Sequence, residues 1–136
     1  MNIKKDNLYF LPLGGSGEIG MNCNLYHFKG KWIMIDLGVM FSNSDIGPYD
    51  ILMPDIDFIV KRKKDLSAII LTHAHEDHIG AIAHLWPKLK CKIFATPFTA
   101  ILIREKFKEK HIDITNDLKI VELNGKVSLE PFNIEY

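Results

Sequence analysis

Thr72-His73-Ala74-His75-Glu76-Asp77-His78 is the stretch on which the reading of this chain turns. It places four potential metal ligands, His73, His75, Asp77 and His78, within six residues. The preceding run, Leu66-Ser67-Ala68-Ile69-Ile70-Leu71, reads as a buried strand. The following run, Ile79 to Trp86, reads as a short helix closed by Pro87. The ligands therefore fall where a strand ends and a helix begins, the place an open α/β sheet reserves for ligands and chemistry. His73 and His75 are two residues apart, so in an extended segment their side chains leave the same side of the backbone. Asp77 and His78 lie in the next turn and approach from another backbone direction. One segment can thus offer two ligand pairs to two neighbouring ions. Imidazole with carboxylate suits zinc or a related borderline metal such as manganese. Two ions about 3.5–4 Å apart form the clamp used in phosphate-ester hydrolysis. The pattern is not H-E-x-x-H, so the helix-borne zinc protease signature does not apply.

The rest of the composition sets bounds. The sequence has 136 residues, room for one domain of ordinary size. At 47% hydrophobic and 25% charged it is globular rather than disordered. Formal net charge is zero, so bulk electrostatics gives no support for a nucleic-acid partner, although a local groove can be basic on a neutral chain. Cys23 and Cys91 stand far apart, outside any metal-type spacing, and read as buried, reduced thiols. Met1 to Asn7 has no apolar core and is not a signal peptide. No run approaches the ~18 apolar residues of a membrane helix. These features point to a soluble, cytoplasmic protein with no membrane partner.

Along the chain, Leu8 to Leu13 reads as a first strand leading into Gly14-Gly15-Ser16-Gly17-Glu18-Ile19-Gly20. That loop contains G-x-G-x-x-G, and Asp36 stands at the end of a later strand, as in a dinucleotide-binding unit. The context argues otherwise. No helix opens at Gly20; Met21 to Phe28 and Trp32 to Asp36 are two β-like runs around a Lys29-Gly30-Lys31 turn, a hairpin. The glycines serve a tight turn or a close backbone approach, with exposed N–H groups as a possible phosphate contact. Phe41 to Pro54 is irregular, with Gly47-Pro48 and Met53-Pro54 as loop markers and Asp45 and Asp50 solvated. Asp55 caps a short helix with Ile56, Ile59 and Val60 on one face. The basic run Lys61-Arg62-Lys63-Lys64 suits a solvated helix C-terminus better than an RNA contact. After the ligand stretch, Cys91 to Ala95 is a strand. Thr96-Pro97 starts a helix that runs to about Lys110, with Phe98, Ile101 and Leu102 inward and Arg104, Lys106, Lys108 and Lys110 wet. Asp117–Leu123, Lys126–Leu129 and Phe132–Tyr136 read as strands, with turns at Asn124-Gly125 and Pro131. His27, His84 and His111 are isolated and read as structural or exposed.

The ligand stretch, extended through Ile79-Gly80-Ala81, resembles the second motif of the metallo-β-lactamase superfamily, and Asp36 matches the first. Leu13-Gly14-Gly15-Ser16-Gly17-Glu18-Ile19-Gly20-Met21-Asn22, with Asp36-Leu37-Gly38, narrows the resemblance to the ribonuclease J family of the β-CASP branch. The resemblance runs from about Leu8 to Tyr136. It implies an α/β (α+β) fold, the αββα sandwich, with the site at the sheet edges. It also implies a zinc-dependent hydrolase, with manganese or magnesium as alternative metals. His73 and His75 would hold one ion, and Asp77 and His78 the other. Asp36 would orient the ligand loop from behind, making Asp77 and Asp36 the acids on which catalysis depends. The implied reaction is attack on an RNA phosphodiester by a hydroxide activated by two metals. It would be both endonucleolytic and 5′-to-3′ exonucleolytic, in RNA processing and decay, by a homodimer or homotetramer.

The family pattern also includes a further His, a metal-bridging Asp and a late His after the β-CASP insertion, none of which can be assigned in this sequence. The expectation is therefore that residues 1–136 are the N-terminal half of one metallo-β-lactamase-like domain, without the β-CASP and C-terminal domains. Such a chain is expected to be poorly stable and nearly inactive alone, with an open sheet edge and uncovered apolar faces. Alternative readings are a non-catalytic metal-binding fragment, or another hydrolase of the same fold acting on DNA or a thioester.

Overall fold

The computed structural model describes residues 3–41 and 51–136. The expected turn at Gly47-Pro48, the solvated Asp45 and Asp50, and the first two residues lie outside them. The chain opens with a three-strand meander, β1 (Tyr9–Gly14), β2 (Cys23–Phe28) and β3 (Lys31–Ile35). Its β2–β3 turn takes Lys29 and Gly30 to φ of 48° and 80°, the paired positive values of a tight two-residue hairpin. β1 is an edge strand, which is why Pro12, unable to donate to a neighbour, is tolerated within it.

Two short strands, β4 (Met40–Phe41) and β5 (Ile51–Leu52), pair antiparallel. The stretch expected to be wholly irregular is therefore closed at its ends by a small ladder. Next come α1 (Asp57–Val60), a single 3-10 turn (Lys63–Asp65) and β6 (Leu66–Ile70). Asp55 sits one residue further out than an N-cap, and its carboxylate accepts from the Asp57 amide at 2.9 Å. Arg62 closes the basic run onto the helix: its Nη1 donates to the Phe58 carbonyl at 3.0 Å, and the guanidinium lies over the Phe58 ring at 4.1 Å.

Beyond β6 lie α2 (Glu76–Ile79), α3 (Ile82–Leu89), β7 (Lys92–Ala95), α4 (Pro97–Glu109) and β8 (Leu118–Ile120), then the hairpin β9 (Lys126–Leu129) and β10 (Phe132–Glu135). Two expectations are corrected. Pro87 does not close a helix; it lies inside α3, which runs on to Leu89 and ends with Lys90 left-handed. The ring is exposed and near the helix end, so the cost of the missing donor is confined to one late turn. The inner face of α4 is Thr99, Ala100, Ile103 and Phe107, not Phe98 and Ile101, which are 67% and 56% exposed. Leu102 is half-buried at the margin of the core.

One six-stranded sheet, ordered β1-β2-β3-β6-β7-β8, carries these elements; β1 to β3 are antiparallel neighbours and β3, β6, β7 and β8 run parallel. Leu25, Met34, Ile69 and Ile93 point to one face and form the core with Ile82 and Trp86 of α3 and Ile103 and Phe107 of α4. Trp86 and Phe107 meet edge to face at 5.5 Å. The opposite face is also apolar: Tyr26, Ile33 and Ala68 lie in one register row, Ile35, Ile70 and Phe94 in the next. The β9–β10 hairpin begins a second β layer there, and a cavity of about 300 Å³ is lined by Ile35, Ile70, Thr72, Ile134 and Tyr136. The layers thus run helix, sheet, hairpin. No helix among the described residues is long and apolar enough to cross a membrane.

Candidate metal centre

The ligand segment is held in place by the backbone on both sides of it. Residues 36 to 39 leave β3 and thread between the glycine-rich loop and α2. The Leu37 amide donates to the His78 carbonyl, the Val39 amide to Glu76, and the Ala81 amide to Leu37. On the other flank, the Met21 amide donates to Val39, Gly38 to Asn22, and the Asn22 amide to Asp77, at 2.8 to 3.0 Å. Gly38 is required by this crossing: a Cβ built there would lie 1.7 Å from the Asp77 carbonyl oxygen and 2.7 Å from the His78 nitrogen. Two remote segments thereby fix the main chain of Asp77 and His78.

Asp36 is the hub. It is 4% exposed and holds φ of 62°, a left-handed conformation uncommon outside glycine. Its carboxylate accepts from the Thr72 amide at 2.8 Å, from the Thr72 hydroxyl at 2.8 and 3.0 Å, and from His78 Nδ1 at 2.7 Å. These donors satisfy a charge that would otherwise be costly to bury. They also determine which ring nitrogens are free. His78 must carry its proton on Nδ1 to donate to Asp36, so Nε2 bears the lone pair. The single Thr72 hydroxyl proton goes to Asp36, leaving the oxygen to accept from His73 Nδ1 at 3.0 Å. His73 Nε2 is then free as well.

The rings gather accordingly. His73 lies 4.0 Å from His78 and 4.5 Å from His75, centroid to centroid. His78 Nε2 is 3.4 Å from Asp77 Oδ2. The expected division into two pairs is thus less sharp in the protein, because the His78 ring reaches back to His73. Partial desolvation, then the neighbouring His78 and His75 imidazoles, holds His73 below its ordinary pKa, against the pull of Asp36 and Asp77. Imidazoles anchored through Nδ1, as in His73 and His78, beside the His75 ring and the Asp77 carboxylate, are the kind of donor set a zinc-like ion takes. The residues fit such an ion in chemistry. Among the described residues, no three His, Cys, Asp or Glu side chains form a ready-made metal-holding group.

Two participants were not singled out from the sequence. Thr72 connects Asp36 to His73, and the Asn22 amide nitrogen lies 3.2 Å from Asp77 Oδ2 and 3.3 Å from His78 Nε2. Both stood inside quoted motifs, but threonine and asparagine are common in turns, and their partners here are 36 and 55 residues away. The isolated histidines lie apart from this site. His27 is buried between Tyr9 and Trp32, and His84 and His111 are exposed. The glycine loop leads into β2 with no helix, as expected for a non-dinucleotide role.

Comparison with known proteins bears on the family and the fold. A family model described as the metallo-beta-lactamase superfamily matches residues 17–131. Ribonuclease J of Sinorhizobium meliloti is 41% identical over 136 residues, covering 96% of this chain and 24% of that protein. Ribonuclease J of Helicobacter pylori is 38% identical over 138 residues, covering all of this chain and 20% of that protein. The chain thus spans about a quarter or less of the length of these curated relatives. Among solved structures, the MIM-2 metallo-β-lactamase superposes with a TM-score of 0.58 at 17% identity, over 96% of this chain and 48% of that one. A chemotaxis sensor, ODP, solved as a peroxy diiron species, gives 0.57 at 18%, over 96% and 49%. At such identities the structural likeness concerns the fold alone, and it agrees with the expected α/β sandwich. With the family model spanning most of the sequence, and the ligand segment and its Asp36 anchor at the ends of β6 and β3, this chain belongs to the metallo-β-lactamase superfamily.

Proposed function

We propose that this chain supplies one side of a two-metal centre that hydrolyses RNA phosphodiester bonds, as an endonuclease and a 5′-to-3′ exonuclease. The observation that carries the reading is the Asp36 hub. Its carboxylate accepts from His78 Nδ1 and from the Thr72 hydroxyl that meets His73 Nδ1, so in both neutral rings the lone pair falls on Nε2, which for His78 lies beside Asp77. The resemblance to ribonuclease J over nearly the whole chain supports RNA over DNA or a thioester as substrate. His73 and His75 hold one ion and Asp77 and His78 the other. Zinc, or manganese or magnesium in its place, supplies Lewis acidity toward a phosphoryl oxygen and lowers the pKa of water.

The chain's own residues contribute position and protonation state. Asp36 and Thr72 hold the Nδ1 side of the His78 and His73 rings, which restrains their rotation and leaves Nε2 on the ligand side. Main-chain bonds from Leu37 and Asn22 fix the backbone from which the Asp77 and His78 side chains project. The test offers 5′-labelled RNA, the matching DNA and a thioester to the zinc-loaded protein at the full length of its ribonuclease J relatives, since this segment alone is expected to be nearly inactive, with His73→Ala as control. Metal-dependent cleavage of RNA alone, lost in the variant, is the expected result. Hydrolysis of the thioester with RNA intact would overturn the reading.

A further inference from the structure

The glycine-rich loop has no part in the chemistry just described, yet it ends on a residue that touches two of the ligands. Asn22 Nδ2 lies 3.1 Å from the Asp77 carbonyl oxygen, 3.2 Å from Asp77 Oδ2 and 3.3 Å from His78 Nε2. All three are acceptors: a carbonyl, a carboxylate, and a ring nitrogen whose partner Nδ1 gives its proton to Asp36. Only the NH2 end of the amide can face them, so the chemistry itself fixes the orientation of Asn22. One N–H serves the main chain of Asp77; the other lies between the two side chains, which are 3.4 Å apart.

The opposite end of the amide explains the loop. A Cβ at Gly15 would stand 2.3 Å from Asn22 Oδ1 and 2.9 Å from its Cγ. At Gly17, two residues on and with nearly the same φ (82° against 81°), a Cβ would meet nothing within 4 Å. Gly15 is therefore the position at which a missing side chain leaves space for the Asn22 amide. Gly17 shares its backbone conformation without that duty.

We propose that Asn22 is a positioning residue for the metal centre: seated against Gly15, its amide holds the Asp77 carboxylate and His78 Nε2 side by side before an ion arrives. This rests on the metal-binding reading above. Asp77 is half-buried and free to change rotamer without this contact, and ordering it would then fall to the ion. The bond to the Asp77 main chain competes with no ligand, so it can persist once the ion is bound. Partners behind a ligand set typically change metal affinity by about ten- to a hundredfold.

The test is zinc affinity of the full chain, by competition with a chromogenic chelator, in Asn22→Ala, Gly15→Ala, Gly17→Ala and the Gly15→Ala/Asn22→Ala double variant. Asn22→Ala and Gly15→Ala should each weaken zinc by about tenfold. Gly17→Ala should stay within about twofold. The double variant should lose no more than either single one, because both changes remove the same contact. In the metal-free protein, the His78 Nε2 nitrogen resonance should move in Asn22→Ala and Gly15→Ala and hold in Gly17→Ala, a signature that general loosening of the loop would not produce. If Asn22→Ala does not fold, Gly15→Ala against Gly17→Ala decides alone. Wild-type affinity in Asn22→Ala, an additive double variant, or equal loss in Gly17→Ala would overturn the proposal while leaving the metal site standing. A wild type that takes up no zinc would overturn the metal reading and this inference together.

Discussion

Gly38 shows how much of the site depends on a single missing atom. Its would-be Cβ meets backbone, the Asp77 carbonyl, rather than the movable tip of a side chain. Gly38→Ala must therefore spread residues 36–39 from α2 and break the ladder that joins Leu37 to His78 and Val39 to Glu76. The expected cost is about 3 kcal/mol, the upper end for overpacking, seen as a lower urea midpoint with an unchanged slope. The two cysteines give a second prediction. Burial, with Asp36 adding to it, pushes the Cys23 thiol up to about 12, and burial does the same for Cys91. A group whose folded pKa is raised holds its proton better in the native state. Its contribution to stability is therefore complete below the unfolded value near 9 and is lost as pH climbs toward about 12. Iodoacetamide at pH 8 should leave both thiols unmodified in the native chain and modify both in urea. At this scale the sequence was legible in placement, for His73, His75, Asp77 and His78 do gather at the end of β6, with Asp36 against His78. Thr72 and Asn22 were not, because their work depends on what the fold brings across 36 and 55 residues.

Among the elements, α4 is the one whose orientation the sequence did not reveal. It has apolar residues on two sides, Phe98 and Ile101 on one and Ala100, Ile103 and Phe107 on the other, so its periodicity allows either side to face inward. Tertiary packing decides, because the 103–107 side joins the core and meets Trp86 of α3. Ile103→Ala should cost about 3 kcal/mol, the usual result of truncating a fully buried isoleucine. Ile101→Ala on the exposed side should cost less than about 0.5 kcal/mol. Equal losses in thermal or urea unfolding would mean the helix is rotated from the position described. The β2–β3 hairpin was legible for the opposite reason: alternating residues around Lys29-Gly30 allow one turn and one register. α4 also braces the ligand segment, through the ion pair from Lys106 to Glu76, a residue expected only to be solvated.

At the scale of the whole molecule, the candidate metal site and the core are one mechanical unit. The ligand segment leaves β6 at the centre of the sheet, Asp36 leaves β3 beside it, and the Asp36 N–H donates to the Ile70 carbonyl at 2.9 Å. Metal bound through His73, His75, Asp77 and His78 would therefore favour the native arrangement over the unfolded chain. It must stabilise the whole chain by mass action. Free zinc at about a hundredfold above its Kd adds about 2.7 kcal/mol. For a domain of this size that is a rise in Tm of about 10 °C. The rise should vanish with a chelator and be absent in His73→Ala and Asp77→Ala. Asp36→Asn should reduce it, because an amide can no longer accept from Thr72 and His78 together with the same strength. Chelation should return the wild type to its metal-free Tm without unfolding it, since Asp36, Thr72 and the main-chain ladder hold the segment with no ion present. If removing zinc instead abolished cooperative melting, the four side chains would be holding the fold together through the ion, and the pre-ordered site described above would be wrong.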